Sequence, residues 1–385
     1  MIHSRYLAWL ALATIFWCAL YLAFTWAVDP YGVSPVSTTW STINEFKPKR
    51  RDIDRFLKPY EVWQHKPRTV FLGSSRVLES IDPSTLDGSR FAPAYNASMN
   101  ATTLSLDAAH IEHYIKLDQN LRFAFVELFF WNFVYRQPEQ PPHRLSKFIK
   151  NSWALQVSAQ ALWDSILTLK SNLSKNRMTP YVGLRGNLIT APGHNPKPMF
   201  DHYVEYVIDE YRNYPSVELH PTAFQALDRI VQICRQNGVE LYLLITPSHP
   251  YDDYRILSLG YWGKLERWHR TIATYPNVLS ASQYTAPLTE PVSERMAYWN
   301  DPVHPSLRFG ELVLRAFLRE QNPDIPPDIL VPVNESNVEA VLQKRRSDLE
   351  KWISENQDFS TKFEKAKDAT GTGSSSVNNF STLSE

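Results

Sequence analysis

The chain has 385 residues, of which 43% are hydrophobic, and its 40 basic and 40 acidic side chains give a formal net charge of zero. This balance provides no electrostatic reason to expect nucleic acid as a partner. Its two cysteines, Cys18 and Cys234, lie in an apolar segment and on the apolar side of a predicted helix, which excludes a disulfide-stapled secreted scaffold.

The first predicted element is an apolar segment, residues 6–28, that carries no charged side chain. It exceeds the roughly 20 residues that cross a bilayer, and it lacks the short apolar core and small-x-small exit of a cleavable signal. We therefore predict an uncleaved signal anchor over residues 1–28. Under the positive-inside rule, the basic residues after the span weigh against export of the rest of the chain. The short N-terminal tail is nevertheless the easier end to keep inside, so we expect the remainder of the chain outside.

Residues 29–64 contain Pro and Trp and predict an irregular stalk, after which strands and helices alternate over residues 65–322. The strand candidates are Thr69–Leu72, a weaker one ending at Tyr95–Ser98, Phe123–Leu128, Val239–Ile245 and Asn277–Leu279; the helix candidates are Leu104–Leu117, Pro221–Arg235 and Leu307–Arg319. This alternation predicts an α/β fold, a parallel-sheet three-layer sandwich with helices on both faces. Reactive groups in such a sheet gather at the carboxyl ends of the strands.

Residues 136–215 interrupt the alternation with a predicted helix from about Trp153 to Leu167 and a Gly/Pro/Asn-rich loop, Pro180–Pro198. Such an insertion commonly forms a cap over a site, although it can also only add bulk. Residues 323–367 predict a Pro-rich linker and an amphipathic helix that starts with a capping box at Ser336 and Glu339. The Gly/Ser/Thr/Asn-rich residues 368–385 predict a disordered tail.

Two short motifs carry the chemistry. Gly73-Ser74-Ser75 follows the first strand, and Asp301-Pro302-Val303-His304 precedes the last helix. A hydroxyl is a poor nucleophile at neutral pH, so an imidazole must accept its proton and a carboxylate must orient that imidazole. Each motif alone also fits a helix cap, but their joint occurrence in this order favours a serine nucleophile. The sequence does not choose between Ser74 and Ser75.

Two further polar residues near the predicted strand ends fit both a functional and a purely structural role. Arg76 could bind an anionic group or form a salt bridge on a helix surface, and His249 could contact substrate or belong only to its loop. His110 and His113 are three residues apart on a predicted helix, as two ligands of one metal could be. No third ligand lies nearby in a suitable pattern, so the sequence predicts no metal site and no cofactor.

The blocks Gly73-Ser74-Ser75, Tyr95–Thr102 and Asp301–His304 resemble those of the SGNH (GDSL-type) hydrolase superfamily. More closely, Gly-Ser-Ser-Arg, Tyr-Asn-x-Ser and Tyr-Trp-Asn-Asp-x-x-His resemble membrane-anchored SGNH-like proteins of bacterial envelopes. That group includes alginate O-acetylation proteins and the teichoic-acid D-alanylation protein. The resemblance covers about residues 66–320.

The resemblance implies that Ser75 is the nucleophile, His304 the general base and Asp301 the residue that orients it. It also implies an oxyanion hole that uses the backbone N–H of Ala101, where the family has Gly, and the side chain of Asn132. The third family block is poorly kept here, because Asn132 matches only after a one-residue shift and no Gly precedes it.

The implied function is a serine-dependent acyl ester hydrolase or O-acyltransferase that acts on a cell-envelope glycan or a related ester. The implied location is the bacterial cytoplasmic membrane, with one span, the catalytic domain outside, a membrane protein as a further partner and no nucleic acid. The incomplete third block leaves an alternative, a catalytically weak SGNH-like binding or assembly component of an envelope polysaccharide complex. A third hypothesis is that the chain is a non-enzymatic anchor protein with an unrelated α/β domain.

Overall fold

The structure is a computed structural model that describes residues 2–34, 39–40, 42–117, 120–134, 155–174, 181–183, 185–190, 193–213 and 218–369. The chain divides into two compact units. The first unit comprises Met1–His65, Pro141–Leu184 and Leu188–Pro192. The second, called the α/β unit below, comprises Lys66–Gln140, Arg185–Asn187 and Gly193–Glu385.

Within the described residues the α-helices are α1 (Ile2–Val28), α2 (Asp54–His65), α3 (Ser75–Ser80), α4 (Leu104–Leu117), α5 (Phe130–Val134), α6 (Ala159–Leu173), α7 (Lys197–Asn213), α8 (Pro221–Gln236), α9 (Pro250–Ser258), α10 (Trp262–Ile272), α11 (Leu307–Phe317), α12 (Val338–Glu355) and α13 (Gln357–Asp368). The strands are β1 (Thr69–Leu72), β2 (Ala94–Asn96), β3 (Phe123–Leu128), β4 (Tyr181–Val182), β5 (Leu188–Ile189), β6 (Glu240–Ile245), β7 (Val278–Ser280) and β8 (Val331–Val333). Short 3₁₀ helices lie at Pro48–Ile53 and Pro83–Leu86.

In the first unit, α1 contains one candidate membrane span, Arg5–Val28, that is long and apolar enough to cross a bilayer. The stalk that follows was predicted to be irregular, and this prediction is wrong, because it contains a 3₁₀ helix and α2. The apolar side chains of α2, Leu57 and Tyr60, pack with Tyr31 and Val33, which gives the segment a core of its own.

The insertion supplies α6 to the first unit, where it contacts α1. The predicted helix is therefore confirmed from Ala159 onward, whereas Trp153 lies outside the described residues. The segment predicted to be a loop, Pro180–Pro198, is more structured than expected. It contains the antiparallel pair β4 and β5, and it ends in the first residues of α7. The cap role of the insertion stays a prediction.

The α/β unit contains a six-stranded sheet with the order β2-β1-β3-β6-β7-β8. The first five strands are parallel, and β8 pairs antiparallel with β7. A mostly parallel α/β sheet is thus confirmed. Strand β8 was not expected, since residues 323–367 were predicted to contain only a Pro-rich linker and an amphipathic helix. Its Pro332 is tolerated because β8 is the edge strand, where one side needs no ladder hydrogen bonds.

Strands β1 and β3 are buried along their whole length. Phe71, Phe123 and Phe125 point to one face, where they pack with Val77 of α3 and Leu314 of α11. The alternate side chains on the opposite face are also fully buried; they are Val70, Leu72, Ala124 and Val126. Continuous apolar runs are typical of parallel strands that are covered on both faces, which explains why these two strands were predictable.

The C-terminal helices belong to the α/β unit and do not form a free tail. Arg345 of α12 makes a buried ion pair with Asp253 of α9. The predicted capping box is wrong, because α12 begins after Asn337 and Glu339 pairs with Arg270 instead. Residues 370–385, nearly all of the predicted disordered tail, lie outside the described residues.

Candidate active site

The nucleophile motif lies in the turn from β1 into α3. Ser74 is the N-cap of α3, and its Oγ accepts a hydrogen bond from the Arg76 backbone N–H at 3.3 Å. Ser75 is the first helical residue, and its Oγ lies 2.7 Å from Nε2 of His304. The structure therefore separates two serines that the sequence left equivalent: Ser74 caps the helix, and Ser75 contacts the imidazole.

Gly73 permits this turn. Its φ of +154° is strained for other residues, and a Cβ would lie 2.6 Å from Cβ of Glu127 and 2.9 Å from a methyl group of Val77. Both distances are shorter than real Cβ contacts. The carbonyl oxygen of Gly73 also accepts a hydrogen bond from the backbone N–H of Met99 at 3.0 Å, which ties the loop after β2 to the nucleophile turn.

The Asp-x-x-His motif forms a closed loop. An antiparallel bridge joins Trp299 to Pro305, and Trp299 is almost fully buried. Oδ1 of Asp301 accepts the backbone N–H groups of Val303 at 2.8 Å and His304 at 2.9 Å. One carboxylate oxygen thus holds the turn, as Asp side chains commonly do, while Oδ2 remains for the imidazole. The three-residue spacing of Asp301 and His304 allows one carboxylate to bind both the backbone of this turn and the imidazole ring.

The two motifs meet in a continuous relay. Asp301 Oδ2 lies 2.7 Å from Nδ1 of His304, whose Nε2 lies 2.7 Å from Ser75 Oγ. An ionised carboxylate can only accept hydrogen bonds, so Nδ1–H of His304 donates to Asp301 and Nε2 accepts the Ser75 proton. The side chains of His304 and Asp301 are 22% and 16% exposed, which leaves the relay reachable from solvent.

Burial and the carboxylate act in opposite directions on the imidazole. Burial lowers the pKa of His304, but the hydrogen bond and charge of Asp301 raise it more, so the net pKa lies above the ordinary 6.5. Burial likewise raises the pKa of Asp301, and the hydrogen bonds from His304 and the Val303 backbone more than offset this, so the net pKa lies below 3.8. Asp301 is therefore ionised at neutral pH and stabilises a protonated His304.

Helix packing sets the distance between nucleophile and base. His304 lies three residues before α11, and α11 packs on α3, which begins at Ser75. At the closest approach, a Cβ on Gly310 would lie 1.7 Å from the carbonyl oxygen of Ser80. Only a glycine fits there, and the close approach of the two helices brings His304 beside Ser75.

Arg76 was predicted to contact substrate, but the structure buries it to 2% exposure. Its guanidinium donates to the Val303 carbonyl at 2.6 Å, to Thr246 Oγ1 at 3.0 Å and to the Pro247 carbonyl. These donors are directed into the protein, so the prediction is corrected: Arg76 connects the nucleophile helix to the end of β6 and to the loop of His304.

Glu127, at the end of β3, was missed by the sequence reasoning. Its Oε2 accepts the Ser74 backbone N–H at 2.5 Å, and its Oε1 accepts the Thr246 hydroxyl at 3.0 Å and pairs with Arg76 at 3.4 Å. The carboxylate is 1% exposed and stabilises the nucleophile turn from the protein interior. A signal was present, since a charged residue in an otherwise apolar buried strand requires a partner.

His249 follows β6 as expected, but its ring is 2% exposed and caps α9, with Nδ1 accepting the Tyr251 backbone N–H at 3.4 Å. Burial lowers the pKa of His249 to about 3, so the ring is neutral. It lines a cavity of about 410 Å³ together with Tyr284 and Trp352. The structural role is thus a helix cap, and substrate contact stays a prediction.

The two predicted oxyanion residues follow the strands on either side of β1. Ala101 lies in the loop after β2 with a φ of 49°, the left-handed conformation that favours Gly. Asn132 lies on α5, just beyond β3, and is half-buried. The strand order reverses between β1 and β3, and ligands of such sheets bind at the carboxyl ends beside this reversal. Their roles as donors stay predictions.

A second polar group borders the relay. Asn300 Nδ2 donates to Glu79 Oε2 at 3.1 Å, and His194 Nε2 lies 2.7 Å from the Asn300 carbonyl. Glu79 is on α3, one turn after Ser75, and its charge contributes to the raised pKa of His304. No local pattern indicated a role for His194, because this residue precedes α7 and is more than 100 residues from the loop that it contacts.

His110 and His113 both lie on α4, where the ring of His110 is buried and stacks on Tyr114. Among the described residues, no group of three or more His, Cys, Asp or Glu side chains is arranged to hold a metal ion.

In comparisons with known proteins, no family model, curated protein or solved structure matches this chain. The family resemblance therefore stays a prediction that depends on the three sequence blocks.

Proposed function

We propose that the protein is a serine-dependent acyl ester hydrolase or O-acyltransferase of the SGNH type, with a three-layer sandwich around its parallel sheet. The observation that carries this proposal is the relay Ser75–His304–Asp301, with two contacts of 2.7 Å, the first of which joins residues 229 positions apart in the chain. An activated serine requires a hydroxyl within hydrogen-bond distance of an imidazole, and an imidazole within hydrogen-bond distance of a carboxylate. The relay meets both requirements.

In the first half-reaction, Ser75 Oγ attacks the carbonyl carbon of an ester as its proton passes to Nε2 of His304. Asp301 stabilises the resulting imidazolium through Nδ1–H. Collapse of the tetrahedral intermediate breaks the bond to the leaving alcohol, which takes the proton from His304, and the acyl group remains on Ser75. In the second half-reaction, His304 deprotonates the acceptor, which attacks the acyl carbon. Collapse of this second tetrahedral intermediate breaks the bond to Ser75 Oγ, which takes the proton back from His304. Water as acceptor gives hydrolysis, whereas a glycan hydroxyl gives transfer.

The oxyanion of the tetrahedral intermediate would be stabilised by the backbone N–H groups of Ser75 and Ala101 and by the amide of Asn132. Support for this assignment is limited to placement: all three residues follow neighbouring strands of one sheet, β1, β2 and β3. The left-handed backbone conformation of Ala101 gives further support, because it is the conformation that a Gly at this position would favour.

The test is turnover of a small chromogenic acetyl ester by the full-length chain in detergent. Ser75→Ala should lower kcat by about 10⁶-fold, the scale found when a triad nucleophile is removed. The matched control is Ser74→Ala, which removes the cap of α3, costs about 1 kcal/mol of stability and should lower turnover far less. Equal turnover by wild type and Ser75→Ala would disprove the proposal.

The second candidate, a catalytically weak binding or assembly component, is favoured by the degenerate third block around Asn132. A serine-reactive fluorophosphonate distinguishes the two functions because it needs an activated nucleophile and no natural acceptor. Labelling that is lost in Ser75→Ala and kept in Ser74→Ala supports the enzyme. A wild-type protein that is folded and not labelled supports the binding component.

A further inference from the structure

Helix α6 of the first unit has reversed polarity. Its outward side chains are apolar: Leu162 is 37%, Trp163 58%, Ile166 43% and Leu173 66% exposed. Positions 162, 166, 169 and 173 follow the spacing of one helical face, and Leu169 is half-buried on the same face. A helix of a soluble domain exposes its polar face instead, so this face is suited to an apolar environment.

The inward face of α6 is polar, and it is matched by the segment that follows α1. Asp164 accepts the Tyr31 hydroxyl at 2.6 Å, and the Asn172 amide makes a pair of hydrogen bonds with the Phe46 backbone at 2.9 and 2.7 Å. These bonds fix the rotation of the helix. The apolar side chains are thus held outward by specific contacts and are not exposed by loose packing.

The length of α1 indicates what covers this face. Tyr6–Leu20 is exposed on all sides, but 15 residues span only about 22 Å at 1.5 Å per residue, against a hydrocarbon thickness of about 30 Å. Arg5 limits the span at its other end. The remaining apolar depth must therefore surround the turns after Leu20, where Tyr21 donates to the Ser158 carbonyl, at the start of α6, at 2.7 Å.

We propose that the outward apolar face of α6 (Leu162, Trp163, Ile166, Leu169 and Leu173) is a second membrane contact, immersed in the lipid that surrounds the C-terminal turns of α1. Lys170 beside this face can extend its ammonium group to the headgroups. A Trp near the boundary of an apolar span is typical of the membrane interface. The first unit would then hold the chain at the bilayer by two helices.

The experiment uses the full-length chain in lipid nanodiscs of phosphatidylcholine and phosphatidylglycerol, one copy per disc. In a Cys18→Ser, Cys234→Ala background, Ile166→Cys and Leu173→Cys are spin-labelled one at a time. The control is Gln343→Cys, an exposed position on α12 of the α/β unit. Accessibility to oxygen, which concentrates in lipid, is compared with accessibility to a nickel chelate, which stays in water.

Labels at positions 166 and 173 should favour oxygen, whereas the label at 343 should favour the nickel chelate. Greater accessibility to the nickel chelate than to oxygen at positions 166 and 173 would overturn the proposal and would favour a partner protein as the ligand of this face. Dipolar broadening between labels of two chains, measured separately in larger discs loaded with two copies, would assign the face to a second copy and would also overturn the proposal. Both positions are exposed, so the cysteine substitutions should leave the fold intact. Comparison of the thermal unfolding of each variant with that of the background protein checks this.

Discussion

The two sides of the candidate active site are built differently. On the nucleophile–base side, Ser75, His304 and Asp301 are joined by two contacts of 2.7 Å and supported by buried groups, Glu127 and Arg76. On the proposed oxyanion side, Ala101 and Asn132 lie in separate segments after β2 and β3, and Ala101 is solvent-exposed. The first side is preorganised by the fold itself, whereas the second depends on a loop conformation and one side chain.

This difference has a chemical consequence. The contacts between nucleophile, base and carboxylate are already present in the free protein, while oxyanion donors must match an atom that forms only during the reaction. The base side can therefore be judged from the free protein, and the oxyanion side must be judged by rates.

Asp301→Asn should have the largest effect after loss of the nucleophile. The amide can no longer hold the Nδ1–H tautomer or stabilise the imidazolium, so kcat should fall by roughly 10⁴-fold.

His304 must be neutral to act as a base, and its pKa is raised, so wild-type kcat/KM should increase with pH through a midpoint above 6.5. Without the Asp301 charge, this midpoint should move to lower pH. Rate profiles from pH 5 to 9 test both statements, and an unchanged midpoint would contradict the assigned relay.

Asn132→Ala tests the oxyanion side directly. If the amide donates to the oxyanion, kcat should fall by about 10²–10³-fold, the loss typical of one donor, with little change in KM because the ground state is less dependent on this bond. Asn132→Asp offers a nearly isosteric control that repels the oxyanion and should be at least as slow. Turnover within a few-fold of wild type for Asn132→Ala would remove this residue from the site.

Gly310→Ala tests whether helix packing sets the base side. The new Cβ would overlap the Ser80 carbonyl, so α11 must move away from α3 and His304 must move with it. A displacement of about 1 Å in a reacting group costs on the order of 10²-fold in rate.

The matched control for this change is Gly263→Ala on α10, where a Cβ meets nothing within 4 Å. That variant should be slightly more stable, by up to about 1 kcal/mol, because Ala is the better helix former. A Gly310→Ala protein with wild-type kcat would show that the fold absorbs the clash without moving the base.

Ala101→Gly should have the smallest effect. Gly adopts a φ of 49° readily and keeps the backbone N–H, so turnover should change by less than about tenfold, the equivalent of roughly 1.4 kcal/mol. The β-branched Ala101→Val, which disfavours this conformation, should be slower than Ala101→Gly. The reverse order of these two rates would mean that the left-handed turn is not needed for the reaction.

Much of the α/β unit was predictable because local pattern and tertiary role agree. The apolar runs of β1 and β3 and the helical periodicity of α4 match the structure residue for residue. Strand β8 was not predictable, since its Pro-rich sequence pairs only because β7 presents a free edge. The capping box at Ser336 failed for a related reason, as Arg270 from another helix binds Glu339.

The sequence by itself determined the apolar span, the alternation of strands and helices, and the two motifs at Ser75 and at Asp301–His304. Each of these is a property of neighbouring residues: hydropathy, period or spacing. Only the tertiary structure decided that Ser75 and not Ser74 meets His304, that Arg76 faces inward to Glu127, and that α6 directs its apolar side outward. These outcomes depend on contacts between residues that are far apart in the chain, such as the approach of α11 to α3 at Gly310, and no local pattern encodes them.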